Sequence, residues 1–375
     1  MRKINIALIG AGRMGISQAK AFGNVCKIYN DGIEPVMYMV ADVAKEAAEN
    51  FVQRFGFQKA VTDWHETLKD PNVDLVVVTT PNDSHVEICL AALEAGKHIL
   101  CEKPLGLSSA ECKQVVEAAK KKHMVNAVGF NYIQNPMLQY ANKLLKSGEF
   151  GKTLSFRGVF DMDFCADPES PHTWRQSSAI AGALGDTGSH VLGIAEYLVG
   201  DISEVCGVGD IIYTDRPDPV VPGRRLPVEN DDQFHMLFRF ENGGTGSIIT
   251  SRVAPGRKIG LGFEIQCEKG TIYFSEERLN ELQVYRHTDR LEDQGFKLIR
   301  CNAEHGDYRF FTGTAGVGIT YIDLVTIQAH GILKAIAENR PFNPDFESGW
   351  KIAAAMDAAL KSDKEKRWVA LREFV

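Results

Sequence analysis

The sequence predicts a two-part α/β chain: a doubly wound parallel sheet, then an α+β domain with a large, mostly antiparallel open sheet. Three observations carry this. Over the first third, short unbroken apolar runs alternate with helical periodicity, as expected of strands buried on both faces and their crossover helices. From Asn131 onward, apolar and polar residues alternate at period two between short turns. The 375 residues are too many for one small core and comfortable for two domains, placed at 1–126 and 127–375.

Composition narrows the function classes. A net charge of −7 gives no electrostatic reason to expect nucleic acid or an anionic membrane as partner. The run 75–80 is far too short to span a bilayer, and residues 1–3 enter a strand without a signal-peptide core. The eight cysteines are scattered with no Cys-x-x-Cys pair. They read as small buried hydrophobes in a reducing, cytoplasmic setting rather than as a disulfide or zinc framework.

The first strand, 4–9, runs into Gly10-Ala11-Gly12-Arg13-Met14-Gly15 and a helix to about residue 22. Gly10 makes the tight turn, Gly12 lets the backbone approach a pyrophosphate, and Gly15 lets helix and strand pack closely. With Arg13 and Met14 they form a candidate dinucleotide loop, whose helix N-terminus offers free N–H groups to phosphates. The second strand, 36–41, ends at Asp42. A carboxylate there accepts from both ribose hydroxyls and repels a 2′-phosphate, so NAD is expected; it can also cap the helix 44–55. Arg13 and Lys45 keep NADP as the alternative.

A short helix at 63–68 and a buried strand at 74–79 follow. The turn from Thr79 to His85, through Thr80, Pro81 and Asn82, lies at that strand's carboxyl end and is assigned to the nicotinamide half, helix capping being the other role for Asn82 and His85. Helix 86–95 stops at Gly96, and strand 99–101 ends in Glu102-Lys103-Pro104. Ligands of open α/β sheets bind outside strand carboxyl ends, so Lys103 stands at a ligand's position, held extended by Pro104. Ser108 caps helix 109–122, and strand 126–130 closes a Rossmann-type sheet expected to hold six parallel strands.

The second domain opens with helix 137–146. Strands are expected at 154–160, 204–208, 233–240, 246–253, 261–267, 270–274 and 281–285, with hairpin turns at 241–244 and 268–270. Helices cover one sheet face, and the other is expected to pair with a second subunit, giving a homodimer or homotetramer. Residues 214–232, rich in proline and charge, read as a surface loop; helices 321–339 and 347–361 end the chain.

Within this domain, Gly182-Ala183-Leu184-Gly185-Asp186-Thr187-Gly188-Ser189-His190 starts as a glycine-rich turn and becomes a helix. Asp186 and His190 are four apart, on one face of its first turns. A carboxylate in that register holds a histidine tautomer and raises its basicity, as a general base requires; the bland reading is a cap and its donor. Further candidates for substrate contact are Asn131 after the sixth strand, Asp161 and Asp163 on one strand face, Trp174 as a stacking ring and Arg175 as a cation. Asp167, His287, His305 and Tyr308 are weaker candidates, and His65, His123 and His330 read as ordinary surface or helix residues. No cluster has metal-ligand spacing, so a metal-free mechanism is expected.

Taken together, Gly10 to Gly15, Glu102-Lys103-Pro104 and Gly185-Asp186-x-x-x-His190 resemble the Gfo/Idh/MocA oxidoreductases, which include inositol dehydrogenases. Phe240 to Gly243, Asn280 to Tyr285 and Pro344-Asp345-Phe346 extend the likeness, and Asp161 to Arg175 resembles the branch acting on inositols and on sugars such as levoglucosan. The resemblance implies that Lys103 hydrogen-bonds the reacting oxygen and that His190 takes or gives the proton. Asp186 would bind a substrate hydroxyl and orient the base, while a hydride passes between substrate carbon and nicotinamide. Glu102 and Lys103 would line the cofactor, and Lys103, Asn131, Asp163, Trp174, Arg175, Asp186 and His190 the substrate. The expected function is NAD-dependent oxidation of a secondary hydroxyl of a cyclic polyol or sugar. The rivals are a nicotinamide-binding sensor or scaffold without turnover, and a glycosidase-like relative that oxidises and re-reduces its cofactor.

Overall fold

The computed structural model describes residues 2–177 and 179–374. Its first part alternates β1 (Arg2–Ile9), α1 (Arg13–Ile28), β2 (Ile33–Ala41), α2 (Lys45–Phe55), β3 (Lys59–Val61), α3 (His65–Lys69), β4 (Leu75–Val78), α4 (His85–Glu94), β5 (His98–Cys101), α5 (Ser109–Lys122) and β6 (Asn126–Val128). The six strands pair in parallel in the order β3-β2-β1-β4-β5-β6. All four residues of β4 are fully buried, which is why its sequence is an unbroken apolar run rather than an alternating one. The order reverses between β1 and β4, so the loops after these strands flank the switch point where such sheets bind ligands.

Two details differ from expectation. Helix α1 continues past residue 22 to Ile28, because Val25 is buried and the Tyr29 N–H closes on its carbonyl. The sixth strand is β3, three residues at the sheet edge, too short for periodicity to single out. Ser108 does cap α5, its side chain accepting from the Glu111 N–H.

The rest of the chain runs α6 (Pro136–Lys146), β7 (Thr153–Asp161), α7 (Ser189–Leu198), β8 (Ile202–Asp210), β9 (Asp215–Pro217), β10 (Arg225–Pro227), β11 (Gln233–Phe240), β12 (Thr245–Ser251), β13 (Gly260–Cys267), β14 (Gly270–Ser275), β15 (Glu281–Arg286), β16 (Lys297–Arg300), α8 (Tyr308–Phe311), α9 (Tyr321–Glu338), α10 (Phe346–Glu365) and β17 (Val369–Ala370). Two compact units result, and they are not contiguous in sequence. One combines residues up to Gln134 with Asp307–Gly313 and Ile319–Trp350; the other holds Asn135–Gly306, Thr314–Gly318 and Lys351–Val375. The continuous division at residue 126 thus differs from the spatial grouping, because α9 places Val325, Ala329, Ile332 and Leu333 in the same core as Phe22 and Val25 of α1.

The second unit is built on a nine-stranded sheet, β16-β15-β14-β13-β7-β12-β11-β8-β17, antiparallel except where β7 meets β12. Helix α7 covers one face, where a Cβ on Gly158 would lie 2.3 Å from Val191. Along β11 the residues alternate: Phe234, Met236, Phe238 and Phe240 are buried, while His235, Leu237 and Arg239 are exposed. The 214–232 segment is not simply a surface loop. It contains the β9–β10 pair, and Arg216, 1% exposed, donates to the carbonyls of Cys165 and Asp167. Six of the eight cysteines are buried and all are free thiols. Among the described residues no helix is long and apolar enough to cross a membrane.

Candidate functional site

In the first unit the site is built by main chain. Gly10 has φ +103°, and a Cβ there would lie 2.8 Å from the Thr79 carbonyl group; one on Gly15 would lie 2.2 Å from the Gly10 carbonyl. A Cβ on Gly12 would meet nothing within 4 Å, so the loop is open on the side from which a phosphate would approach the start of α1. The Thr79 hydroxyl donates to the Gly10 carbonyl at 2.6 Å, tying the loop to the end of β4. Asp42 accepts from the Ala11 N–H through Oδ2 (2.7 Å) and from the Ala44 N–H through Oδ1 (2.8 Å). Both oxygens keep a lone pair for ribose hydroxyls. Arg13 is exposed and Met14 half-buried at the head of α1.

The loops after β4 and β5 are braced rather than open. Thr80 and Asn82 are half-buried and Pro81 is exposed. His85, assigned to the cofactor from sequence, is fully buried, with Nδ1 2.8 Å from the Pro104 carbonyl and Nε2 3.0 Å from the Thr80 carbonyl. Burial pushes its pKa down against the pull of both carbonyls. Its imidazole joins the two loops and leaves no polar edge for a ligand. Glu102 is likewise engaged: Gln18 Nε2 donates to its Oε1 at 2.8 Å, and burial raises its pKa. Lys103, next in the chain, is half-buried. Asn131 is 3% exposed and its Oδ1 has no hydrogen-bond partner, an acceptor that a bound ligand's donor would satisfy.

The second unit assembles a side-chain constellation. Residues Leu184–Gly188 form a single π-helical turn that feeds α7, so the path from Asp186 to His190 is not the regular α-turn expected. Such turns recur at functional sites because they re-aim side chains. Arg175 Nε lies 3.7 Å from Asp186 Oδ2, and its guanidinium sits 4.4 Å from the centre of the Trp174 ring. Trp174 is 47% exposed, offering its ring to solvent, whereas His190 is 8% exposed against the Phe160 ring. The set provides an apolar stacking face, a cation paired with a carboxylate, and an imidazole.

Other candidates fall elsewhere. Phe160 faces His190, so its neighbour Asp161 points to the opposite sheet face, beside Ser251 and Gly260 across the strands. There its Oδ1 has no hydrogen-bond partner and burial raises its pKa. Asp163 lies beyond the strand and accepts from Lys258 Nζ (2.7 Å) and the Gly256 N–H (3.2 Å), which hold its pKa down. Its carboxylate is engaged in a local ion pair. Asp167 accepts from the Glu169 N–H, His305 packs edge-on to Tyr140, and Tyr308 is fully buried. His330, read as ordinary, is buried and stacked 3.6 Å from Tyr29 with Nε2 2.7 Å from Asp31. Among the described residues no group of three or more His, Cys, Asp or Glu is placed to hold a metal ion.

Sequence reasoning missed Gln18 and the buried group Asn230, Asp231, Asp232 and Arg252. The last three form an acid pair before a strand and a basic residue after the next one. The acid pair stands at the end of what reads as a charged surface loop, and Arg252 inside the strand expected at 246–253.

Comparison with known proteins agrees with both halves. Residues 4–130 match the model of an oxidoreductase family with an NAD-binding Rossmann fold, and residues 138–273 match a GFO/IDH/MocA C-terminal domain. Levoglucosan dehydrogenase of Pseudarthrobacter phenanthrenivorans is 37% identical over 383 residues, covering 98% of each chain. Myo-inositol 2-dehydrogenase of Thermotoga maritima is 26% identical, covering 99% of this chain and 100% of its own. A solved levoglucosan dehydrogenase in complex with NADH and L-sorbose superposes with a TM-score of 0.96 at 37% identity, covering 99% of both chains.

Proposed function

The chain belongs to the Gfo/Idh/MocA oxidoreductases, NAD(P)-dependent enzymes acting on CH–OH groups, and from that premise we propose that it oxidises a secondary hydroxyl of a cyclic polyol or sugar to a ketone. The observation carrying this reading is the Trp174–Arg175–Asp186 group, which joins a stacking ring for a sugar face to a carboxylate for its hydroxyls, with the His190 imidazole following at the head of α7. The likeness to levoglucosan and inositol dehydrogenases supports the same substrate class.

Gly10, Gly12, Gly15 and Asp42 would hold NAD, the loop through its open backbone and Asp42 through its carboxylate. When bound, NAD supplies the two-electron oxidation of the carbon–hydrogen bond. Lys103 donates a hydrogen bond to the reacting oxygen and offsets the negative charge that grows on it. His190 takes the hydroxyl proton, worth roughly 10²–10⁴-fold in rate. Asp186 accepts from a neighbouring substrate hydroxyl, and Arg175 orients that carboxylate. Asn131 fills its open acceptor from substrate or cofactor. The open sheet face carries Val208, Leu237 and Ile249 at 48%, 54% and 44% exposure, and pairing with a second copy buries it, giving a dimer or tetramer.

The test is incubation with NAD or NADP and levoglucosan, inositols, glucose or xylose, following absorbance of the reduced cofactor. Reduction by at least one substrate is expected. NADH binding without turnover of any of them would leave a nicotinamide-binding sensor instead, and free sugar released without net NADH would identify a glycosidase-like cycle.

A further inference from the structure

Two places in the second unit, Asn230–Asp232 before β11 and Arg252 after β12, bond to both pieces of chain that carry the candidate substrate residues. Arg252, 1% exposed, donates from Nε to Asp232 Oδ1 at 2.8 Å, and Asp232 is fully buried. The other Asp232 oxygen accepts from the N–H groups of Ile212 and Tyr213, both at 2.9 Å, so this carboxylate is an anchor with every partner supplied by the protein. One terminal nitrogen of Arg252 reaches the main-chain carbonyls of Arg175 (3.1 Å) and Ala181 (3.3 Å). The second donates to Asn230 Oδ1 at 2.7 Å, and Asn230 Nδ2 donates to the same Arg175 carbonyl at 2.6 Å. Asp231 accepts from the Leu184 N–H through Oδ2 at 2.7 Å and from the Ala183 N–H through its carbonyl at 2.9 Å. A Cβ at Gly182 would lie 2.0 Å from Asp231 Oδ1, so the carboxylate occupies the space a side chain would need.

A buried ion pair is weak support for stability, since apolar residues of similar volume often serve as well. Here its directed bonds do something packing cannot. They fix the backbone of Arg175 relative to residues 181–184, at the entry to the π turn. The guanidinium of Arg252 is taken up by main-chain and buried acceptors, so it acts through other residues.

We propose that Asn230, Asp231 and Arg252 are positioning residues that clamp the Arg175 backbone to the 181–184 turn, so that the Arg175–Asp186 pair and His190 are presented together. The clamp rests on the proposed dehydrogenase reading for its catalytic meaning, though not for its existence. Removing it loosens the turn and lowers kcat on a polyol or sugar, while the affinity for NADH, which the first unit's loop sets, stays unchanged.

Arg252→Gln leaves the Asp232 carboxylate buried beside a neutral amide and can prevent folding, so position 231 carries the test. Asp231→Leu removes the acceptor of the Leu184 N–H; Asp231→Asn keeps an oxygen there. Full-length proteins are compared by amide hydrogen exchange over 181–190, by kcat and KM with levoglucosan and myo-inositol as probes, by the pH profile of kcat, and by NADH affinity. Asp231→Leu is expected to speed exchange about tenfold or more and to lower kcat by a similar factor. It should displace the basic limb of the pH profile and leave the NADH Kd within about twofold, and Asp231→Asn should restore the wild-type values. Unchanged exchange over 181–190 in folded Asp231→Leu overturns the clamp, as does faster exchange with unaltered kcat. If Asp231→Leu does not fold, Asn230→Ala, which strips one bond from the Arg175 carbonyl, is held to the same outcomes. If the wild type oxidises none of the probes, the dehydrogenase reading falls by itself. Exchange together with the His190 imidazole NMR signal then judges the clamp: both altered supports it, both unaltered overturns it.

Discussion

The glycine loop of the first unit and the π turn of the second are both tight, and both precede a helix that carries function. They are held in opposite ways. Around Gly10 the contacts are main chain to main chain or to an adjacent strand end: Gly10 N–H to the Ala41 carbonyl, the Thr79 hydroxyl to the Gly10 carbonyl, the Ala11 N–H to Asp42. Around Asp186 the turn is held by side chains from two distant places in the chain, with Asp231 and Arg252 reaching the main chain from inside the protein. A loop that only has to admit a phosphate needs space and N–H groups, which glycine and a helix start supply. A turn that must aim an imidazole and a carboxylate needs its backbone fixed from more than one side.

The contrast breaks most sharply on catalysis. Lys103→Ala and His190→Ala should each lower kcat by about 10²–10⁴-fold with NADH affinity nearly unchanged; steady-state kinetics beside fluorescence titration of NADH checks this, and equal losses of both quantities would contradict the roles given.

A second expectation concerns pH. Burial, with Asp232 alongside, pushes the Asp231 carboxyl up from 3.8 to about 6, against the Leu184 N–H and Arg252. A raised acid pKa means the folded protein holds the proton longer than the unfolded chain. The associated stability is complete below pH 3.8 and is lost as pH rises through about 6. The loss is on the order of 3 kcal/mol. Urea melts at pH 4 and 7 should show Asp231→Asn falling less than wild type by about that amount; identical pH dependence would show that this carboxyl does not titrate as described.

The glycine loop offers a smaller, cleaner separation. Gly15→Ala forces a Cβ against the Gly10 carbonyl and should destabilise the fold by about 1–3 kcal/mol. Gly12→Ala meets open space, so it should cost about 1 kcal/mol or less in stability yet weaken NADH by about tenfold or more. Thermal melts with and without NADH distinguish the two. Least affected should be Asp163→Asn. Its carboxylate serves an exposed Lys258, so kcat/KM on any accepted sugar should stay within about twofold; a large loss would return Asp163 to the substrate.

The same contrast explains what was legible. Gly10, Gly12 and Gly15 announce themselves because local backbone geometry demands them, and β4 because both its faces are buried. The spacing of Asp186 and His190 marks them as a candidate pair, but the π turn that carries Asp186 has no local signature, and the Leu184 N–H at its start bonds to Asp231 across the fold. His85 and Glu102 lie in the right loops for a ligand, yet their polar atoms turn inward to Thr80, Pro104 and Gln18, which no local pattern records. Asp161 and Asp163 share a spacing but not a face, because the strand ends between them.

Helix α9 has a consequence for how the molecule is made. Val325, Ala329, Ile332 and Leu333 complete the core that Phe22 and Val25 begin, about three hundred residues earlier. A nascent chain leaving the ribosome therefore cannot seal this core until α9, about three hundred residues after Phe22, has been synthesised. A fragment cut after the sixth parallel strand would expose that seam, so a minimal nucleotide-binding piece would have to be engineered by grafting the late helix onto it.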